Sequence, residues 1–214
     1  ITLLWLVVGR ERVPEEIRNV DAERGISVLK GALKHRDLWL CGFGFVGASM
    51  SFSAFLAFYP TLMLEEYDIS LTLSGGILAS GVILGGVGGL GMAYTAAAMA
   101  REGFFLQGLA VIMIASNIGM ILTGWVPGLF LLSLTNGVAW AFFPILITVP
   151  FLLPGIRSRE MAVALSFTIM ATAVGSSLGP LITGFIQEIT GDLRLSLLII
   201  SFPALSLCVA GFAI

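Results

Sequence analysis

The sequence predicts an all-α polytopic membrane protein, a bundle of six crossing helices preceded by the tail of another. Three observations carry this. Six long apolar runs divide the chain, each reaching the roughly 20 residues a helix needs to cross about 30 Å of hydrocarbon. Charge is confined to the connections: charged residues make up 11% and apolar residues 57%, against about 25% charged in soluble domains, and mean hydropathy is +1.02. The cations also sort by end. Ten of the 11 Lys and Arg lie in segment 9–37 (Arg10, Arg12, Arg18, Arg24, Lys30, Lys34, Arg36) or in two later connections on the same side (Arg101; Arg157 and Arg159), with Arg194 alone opposite. The positive-inside rule then places segment 9–37 in the cytoplasm.

Residues 1–8 read as the end of a helix whose start is missing, so the chain is expected to be an excerpt of a longer protein. Segment 9–37 is the one long polar connection. Pro14 before Glu15 and Glu16 suits a helix start, and Ser27 suits a cap for a turn with Leu29 and Leu33 on one face and Lys30 and Lys34 on another. It reads either as a short interfacial helix or as a solvated linker. The transmembrane domain, 38–214, follows with spans at 38–64, 71–98, 104–125, 128–153, 161–187 and 195–214. Acidic Glu65, Glu66 and Asp68 mark the first outer loop. Short connections make neighbouring helices antiparallel and adjacent. Trp5 and Trp39 fall near inner ends, Tyr67 and Trp125 near outer ends, as interfacial aromatics do. Trp140 departs from this by falling in mid-membrane.

The second span repeats Gly81, Gly85 and Gly89 every fourth residue, and the fifth carries Gly175-x-x-x-Gly179-Pro180. Faces without side-chain bulk let helix backbones approach closely in a bilayer. Ala57-Phe58-Tyr59-Pro60 in the first span echoes Ala141-Phe142-Phe143-Pro144 in the fourth. Together with glycine-rich second and fifth spans, this suggests a 3+3 inverted repeat.

Little of the sequence carries chemistry. Gly86-Val-Gly88-Gly89-Leu-Gly91 fits a dinucleotide fingerprint but lies inside an apolar span with no acidic partner at the right distance, so its glycines read as packing residues. His35, the only histidine, has no partner for metal binding or catalysis, and no cofactor or metal site is expected. Cys41 and Cys208 read as small buried hydrophobes rather than a disulfide. An enzyme is not expected, since neither a nucleophile with a base nor a metal cluster is present. No span holds Asp, Glu, Lys or Arg away from its ends, whereas ion-coupling sites normally show such a group. The mid-span polar residues are Asn136 with Trp140, the face Ser49, Phe52, Ser53, Leu56 and Tyr59, the face Thr168, Thr172 and Ser176, and Tyr94. Each either contacts a solute or makes an interhelical hydrogen bond worth about 0.6–2 kcal/mol.

Taken in order, several stretches resemble the C-terminal half of a major facilitator superfamily (MFS) transporter, from the end of helix 6 through helix 12. They are Leu33-Lys34-His35-Arg36-Asp37-Leu38-Trp39, Phe58-Tyr59-Pro60, Ser74-Gly75-Gly76, Gly179-Pro180-Leu-Ile-Thr-Gly184 and Thr190-Gly191-Asp192. The likeness covers essentially all 214 residues. It departs at Thr95, where the family often has an acid between helices 8 and 9. The resemblance implies a secondary active transporter of a small solute working by alternating access, with the missing N-terminal half as partner, the lipid bilayer around it and no nucleic acid. It directs Ser49, Phe52, Tyr59, Tyr94, Asn136, Trp140 and Thr172 towards substrate, in a multi-pass protein of the plasma (cell inner) membrane. The alternatives are a permease subunit of an ATP-driven transporter or a channel. The connection Gly155–Glu160 is short for coupling to an ATPase, and no selectivity ring is visible.

Overall fold

The computed structural model describes residues 28–98, 102–152, 156 and 158–212. The helix tail 1–8, most of the linker (9–27), and Arg101 and Arg157 lie outside the described residues. Within them the chain is helical without a strand, and six stretches are long and apolar enough to cross a membrane. A helical stretch at 28–33 stops at a tight turn, where Lys34 and His35 bond back to Gly31 and Ala32.

Helix α1 (Arg36–Tyr67) forms the first span; its 32 residues extend about 48 Å, more than the hydrocarbon alone requires. It ends where Asp68 turns left-handed (φ 55°) and the Asp68 and Ile69 amides close on the Met63 carbonyl. Helices α2 (Leu71–Ala98) and α3 (Glu102–Leu122) are unbroken second and third spans. The fourth is split into α4 (Val126–Ala139) and α5 (Phe142–Leu152), and Pro144 explains the split. Lacking an amide hydrogen, it cannot close on the Trp140 carbonyl four residues earlier. Phe143 takes that carbonyl instead at 3.1 Å, while Trp140 and Ala141 tighten onto Gly137 and Val138. Helix α6 (Ser158–Thr190) is the fifth span. Gly191 (φ 70°) reverses the chain and the Asp192 carboxylate caps the next helix at the Leu195 amide. The sixth span passes from α7 (Leu193–Ser201) through a 3-10 turn at Phe202–Leu205, around Pro203, into α8 (Ser206–Gly211).

The spans form a six-helix bundle with the symmetry of a 3+3 inverted repeat. The first span packs chiefly on the fifth and sixth, the fourth on the second and third, and the third and sixth meet each other. Exchanging spans 1–3 with 4–6 maps the 1–5 and 1–6 contacts onto 4–2 and 4–3, and the 3–6 contact onto itself. The glycines show the same exchange. Gly175 and Gly179 of α6 lie against the backbone carbonyls of Val46 and Met50, while Gly81 and Gly85 of α2 lie against those of Ser133 and Gly137. Both carbonyl positions shift by 87 residues between the halves (46 to 133, 50 to 137). The four-residue sequence echo, at 84, is about one turn out of that register.

The fingerprint-like glycines differ in their surroundings. Gly86 and Gly91 have nothing within 4 Å among the described residues, and Gly88 meets only Leu84 of its own helix. Of the Gly86–Gly91 motif only Gly89 meets a neighbouring helix, where a Cβ would touch the Ala141 backbone.

Two large apolar clusters and a small third one (Met113, Ala139 and Ala204) fill the bundle. At the end nearer the 28–34 turn, Leu38, Cys41, Phe45, Leu106, Leu146, Val149 and Leu207 pack together. At the far end Phe55, Tyr59, Leu62, Met63, Met120, Ile121, Leu129 and Leu197 do so. A clasp closes that far end. Arg194 pairs with Glu66 at 2.9 Å and donates to the Tyr67 hydroxyl, which donates to the Ile121 carbonyl at 3.0 Å. Glu65 and Glu66, expected in the outer loop, thus belong to the last turn of α1, where the pairing with Arg194 joins spans 1, 3 and 6.

Candidate functional site: a polar waist and its pocket

Between the two large apolar clusters lies a polar layer crossing three spans. The Asn136 amide nitrogen of α4 donates to Ser116 Oγ at 2.8 Å and to Asn117 Oδ1 at 2.6 Å, both on α3. The Asn117 amide nitrogen in turn donates to Ser51 Oγ of α1 at 3.2 Å. Ser51, Ser116 and Asn117 are almost fully buried. In a bilayer, buried amides without partners would cost several kcal/mol, so the three spans satisfy one another. A second link ties α4 to α2, where the Ser133 hydroxyl donates to the Ile77 carbonyl at 2.6 Å.

Beside this layer opens a pocket with about 310 Å³ of atom-free space, measured to its open mouth. Its enclosed part has room for about one or two water molecules. Phe52 and Phe55 of α1, Val82 of α2 and Asn136 with Trp140 of the fourth span form its walls. Trp140 sits at the break between α4 and α5. Its ring meets Phe52 edge-on, centroids 3.6 Å apart at 84°, and its stem lies against Gly85, where no larger residue fits. The break set by Pro144 and the bare face of α2 together give the indole its seat.

Three of the seven sequence-predicted residues, Phe52, Asn136 and Trp140, come together here; four do not. Ser49 is buried on α1 one turn away, between Phe45 and Phe52. Tyr59 is fully enclosed in the far cluster, stacked on Phe55 at 5.3 Å, and its hydroxyl has no partner among the described residues. Tyr94 lies exposed late in α2. Thr172 bonds its own helix at Thr168, on a span that contributes nothing to the pocket. Sequence reasoning missed Asn117 with its neighbours Ser116 and Ser51. The signal for Asn117 was present: it is a mid-span asparagine in an apolar run, as Asn136 is.

A family model described as Major Facilitator Superfamily matches residues 1–180. The chain belongs to the Major Facilitator Superfamily. No curated protein and no solved structure matches it. Members of this superfamily are transporters, and the six apolar helices make this facilitator chain a multi-pass membrane protein. Among its described residues no group of three or more His, Cys, Asp or Glu is placed to hold a metal.

Proposed function

We propose that this chain is the C-terminal half of a secondary active transporter that moves a small solute by alternating access, its solute contacting the pocket at Phe52, Asn136 and Trp140. The observation that carries the reading is the open, aromatic-walled pocket beside a hydrogen-bonded polar layer in an otherwise apolar bundle. Ligand sites are mostly apolar, with a few fixed polar groups, and polar residues at membrane depth mark solute paths. The scarcely covered second and fifth spans, each 22% buried, would face the other half, and the cation-rich segment 9–37 would lie in the cytoplasm, in the plasma membrane. Since no span carries a charge away from its ends, any coupling charge belongs to the other half.

The test is solute uptake by proteoliposomes of the full-length protein across a panel, with and without a pH gradient, alongside Trp140→Ala. Gradient-driven uptake lost in the variant is the expected result. Uptake that ignores gradients and needs ATP with a partner protein would replace the reading with a pump permease. Undiminished uptake by the variant would remove the pocket from the transport path.

A further inference from the structure

The protons of the pocket's polar groups are almost all spent. Ser133 gives its hydroxyl proton to Ile77, and Ser116 gives its own to the Ile112 carbonyl at 2.7 Å. With one proton each, these hydroxyls have none left for a solute. Ser116 can therefore only accept from Asn136, which turns the Asn136 nitrogen towards α3, where Asn117 Oδ1 takes its second proton. Among the described residues Asn136 Oδ1 receives no hydrogen bond, and it is not sealed from the pocket. The indole N–H of Trp140 is the one remaining side-chain donor in the lining, and among the described residues it too has no hydrogen-bond partner. No lining residue is charged.

We infer that the pocket selects solutes carrying an O–H or N–H donor on an apolar body, received by Asn136 Oδ1 between the aromatic walls, and that Ser116 and Asn117 are the positioning residues that fix this preference. This rests on the proposed solute pocket and names its substrate class. An anion would find a single donor, the indole, and an acceptor oxygen facing it. A solute without a donor would leave Asn136 Oδ1 desolvated and unpaired, and that asymmetry is what gives buried polar groups their selectivity.

Binding of three probes of similar shape to the purified full-length protein, by ligand-observed NMR titration, tests the inference: 2-phenylethanol, its methyl ether and phenylacetate. The alcohol is expected to bind about tenfold tighter than the other two. In Asn136→Leu its affinity should fall to that of the ether, with the ether unchanged. Ser116→Ala combined with Asn117→Ala keeps Asn136 but frees its amide to turn. The alcohol-to-ether ratio should then approach one and phenylacetate should gain, a shift that loss of packing alone would not produce. The ratio in the unaltered protein decides the matter even where a variant fails to fold. Equal binding of alcohol and ether, or tightest binding of phenylacetate, with sensitivity to Trp140→Ala, overturns the donor preference and leaves the pocket as the solute site. Probes that bind nowhere, or bind alike with and without Trp140→Ala, overturn the pocket and the preference together.

Discussion

Replacing Gly179 by alanine tests the contact on which the α1–α6 pair is built. The added Cβ would press on the Met50 backbone carbonyl and stand 2.5 Å from Ser53 Oγ. Relaxed carbon–oxygen contacts are about 3.3 Å or longer, and a backbone carbonyl inside a helix cannot swing aside, so α6 must withdraw by about an ångström. Overpacking of this kind costs about 1–3 kcal/mol, against less than about 1 kcal/mol regained from helix propensity. Gly108→Ala is the matched control: among the described residues nothing lies within 4 Å of its Cβ, so it should stabilise by up to about 1 kcal/mol. Thermal unfolding of the two variants in detergent should separate them by several degrees, at about 2–4 °C per kcal/mol for a chain of this size. A Gly179→Ala protein melting at or above Gly108→Ala would refute the close-contact argument.

Three further outcomes follow from other contacts. Asn117→Ala leaves one Asn136 proton unpaired and should destabilise by about 0.6–2 kcal/mol; a double-mutant cycle with Asn136→Ala, read by detergent unfolding, should show the pair non-additive. Glu66→Gln removes the charge partner of the partly exposed Arg194 and should cost no more than about 1 kcal/mol, a loss that shrinks in high salt when Tm is measured across a salt series. Spin labels at Leu64 and Phe185, both exposed on α1 and α6, should give a broader distance distribution than labels at Leu64 and Phe130 of α4, as measured by pulsed electron paramagnetic resonance.

The six crossings were legible because hydrocarbon thickness imposes a length and a composition that no other setting demands. Prolines were legible as residues, but their structural effect depends on the carbonyl four positions back. Pro144 breaks the fourth span at Trp140, whereas α1 and α6 continue through Pro60 and Pro180. Faces were harder to read. Ser49, Phe52, Ser53, Leu56 and Tyr59 share an arc of about 120° on a helix turning 100° per residue, wide enough to meet more than one neighbour. Phe52 reaches Trp140 on the fourth span, Ser53 sits beside Gly179 on the fifth, and Tyr59 enters the far cluster. Ser51, passed over between them, is the serine that meets Asn117. Its role depends on a partner 66 residues away, which helical periodicity within one span cannot supply.

Side-chain hydrogen bonds divide the bundle unequally. Spans 1, 3 and 4 are joined through Ser51, Asn117, Ser116 and Asn136, spans 2 and 4 through Ser133, and spans 1 and 6 through Ser206, which donates to the Gly44 carbonyl. On α6 the hydroxyls of Ser166, Thr168, Thr172, Ser177, Thr183 and Thr190 each bond a carbonyl of their own helix. Among the described residues these hydroxyls tie α6 to no other helix, and its seat on α1 draws on packing, with steric fit at Gly175 and Gly179 and the edge contact of Phe167 with Trp39. Moving one helix along a fitted surface loses dispersion contacts and regains others, whereas breaking an amide ladder in hydrocarbon strands polar groups. Spans 1, 3 and 4 therefore form the stiff frame that holds Asn136 at the pocket. Spans 2 and 5 are the least covered; Ser133 pins the second to that frame, whereas the hydroxyls of α6 add no such bond and its contact with α1 is one of packing.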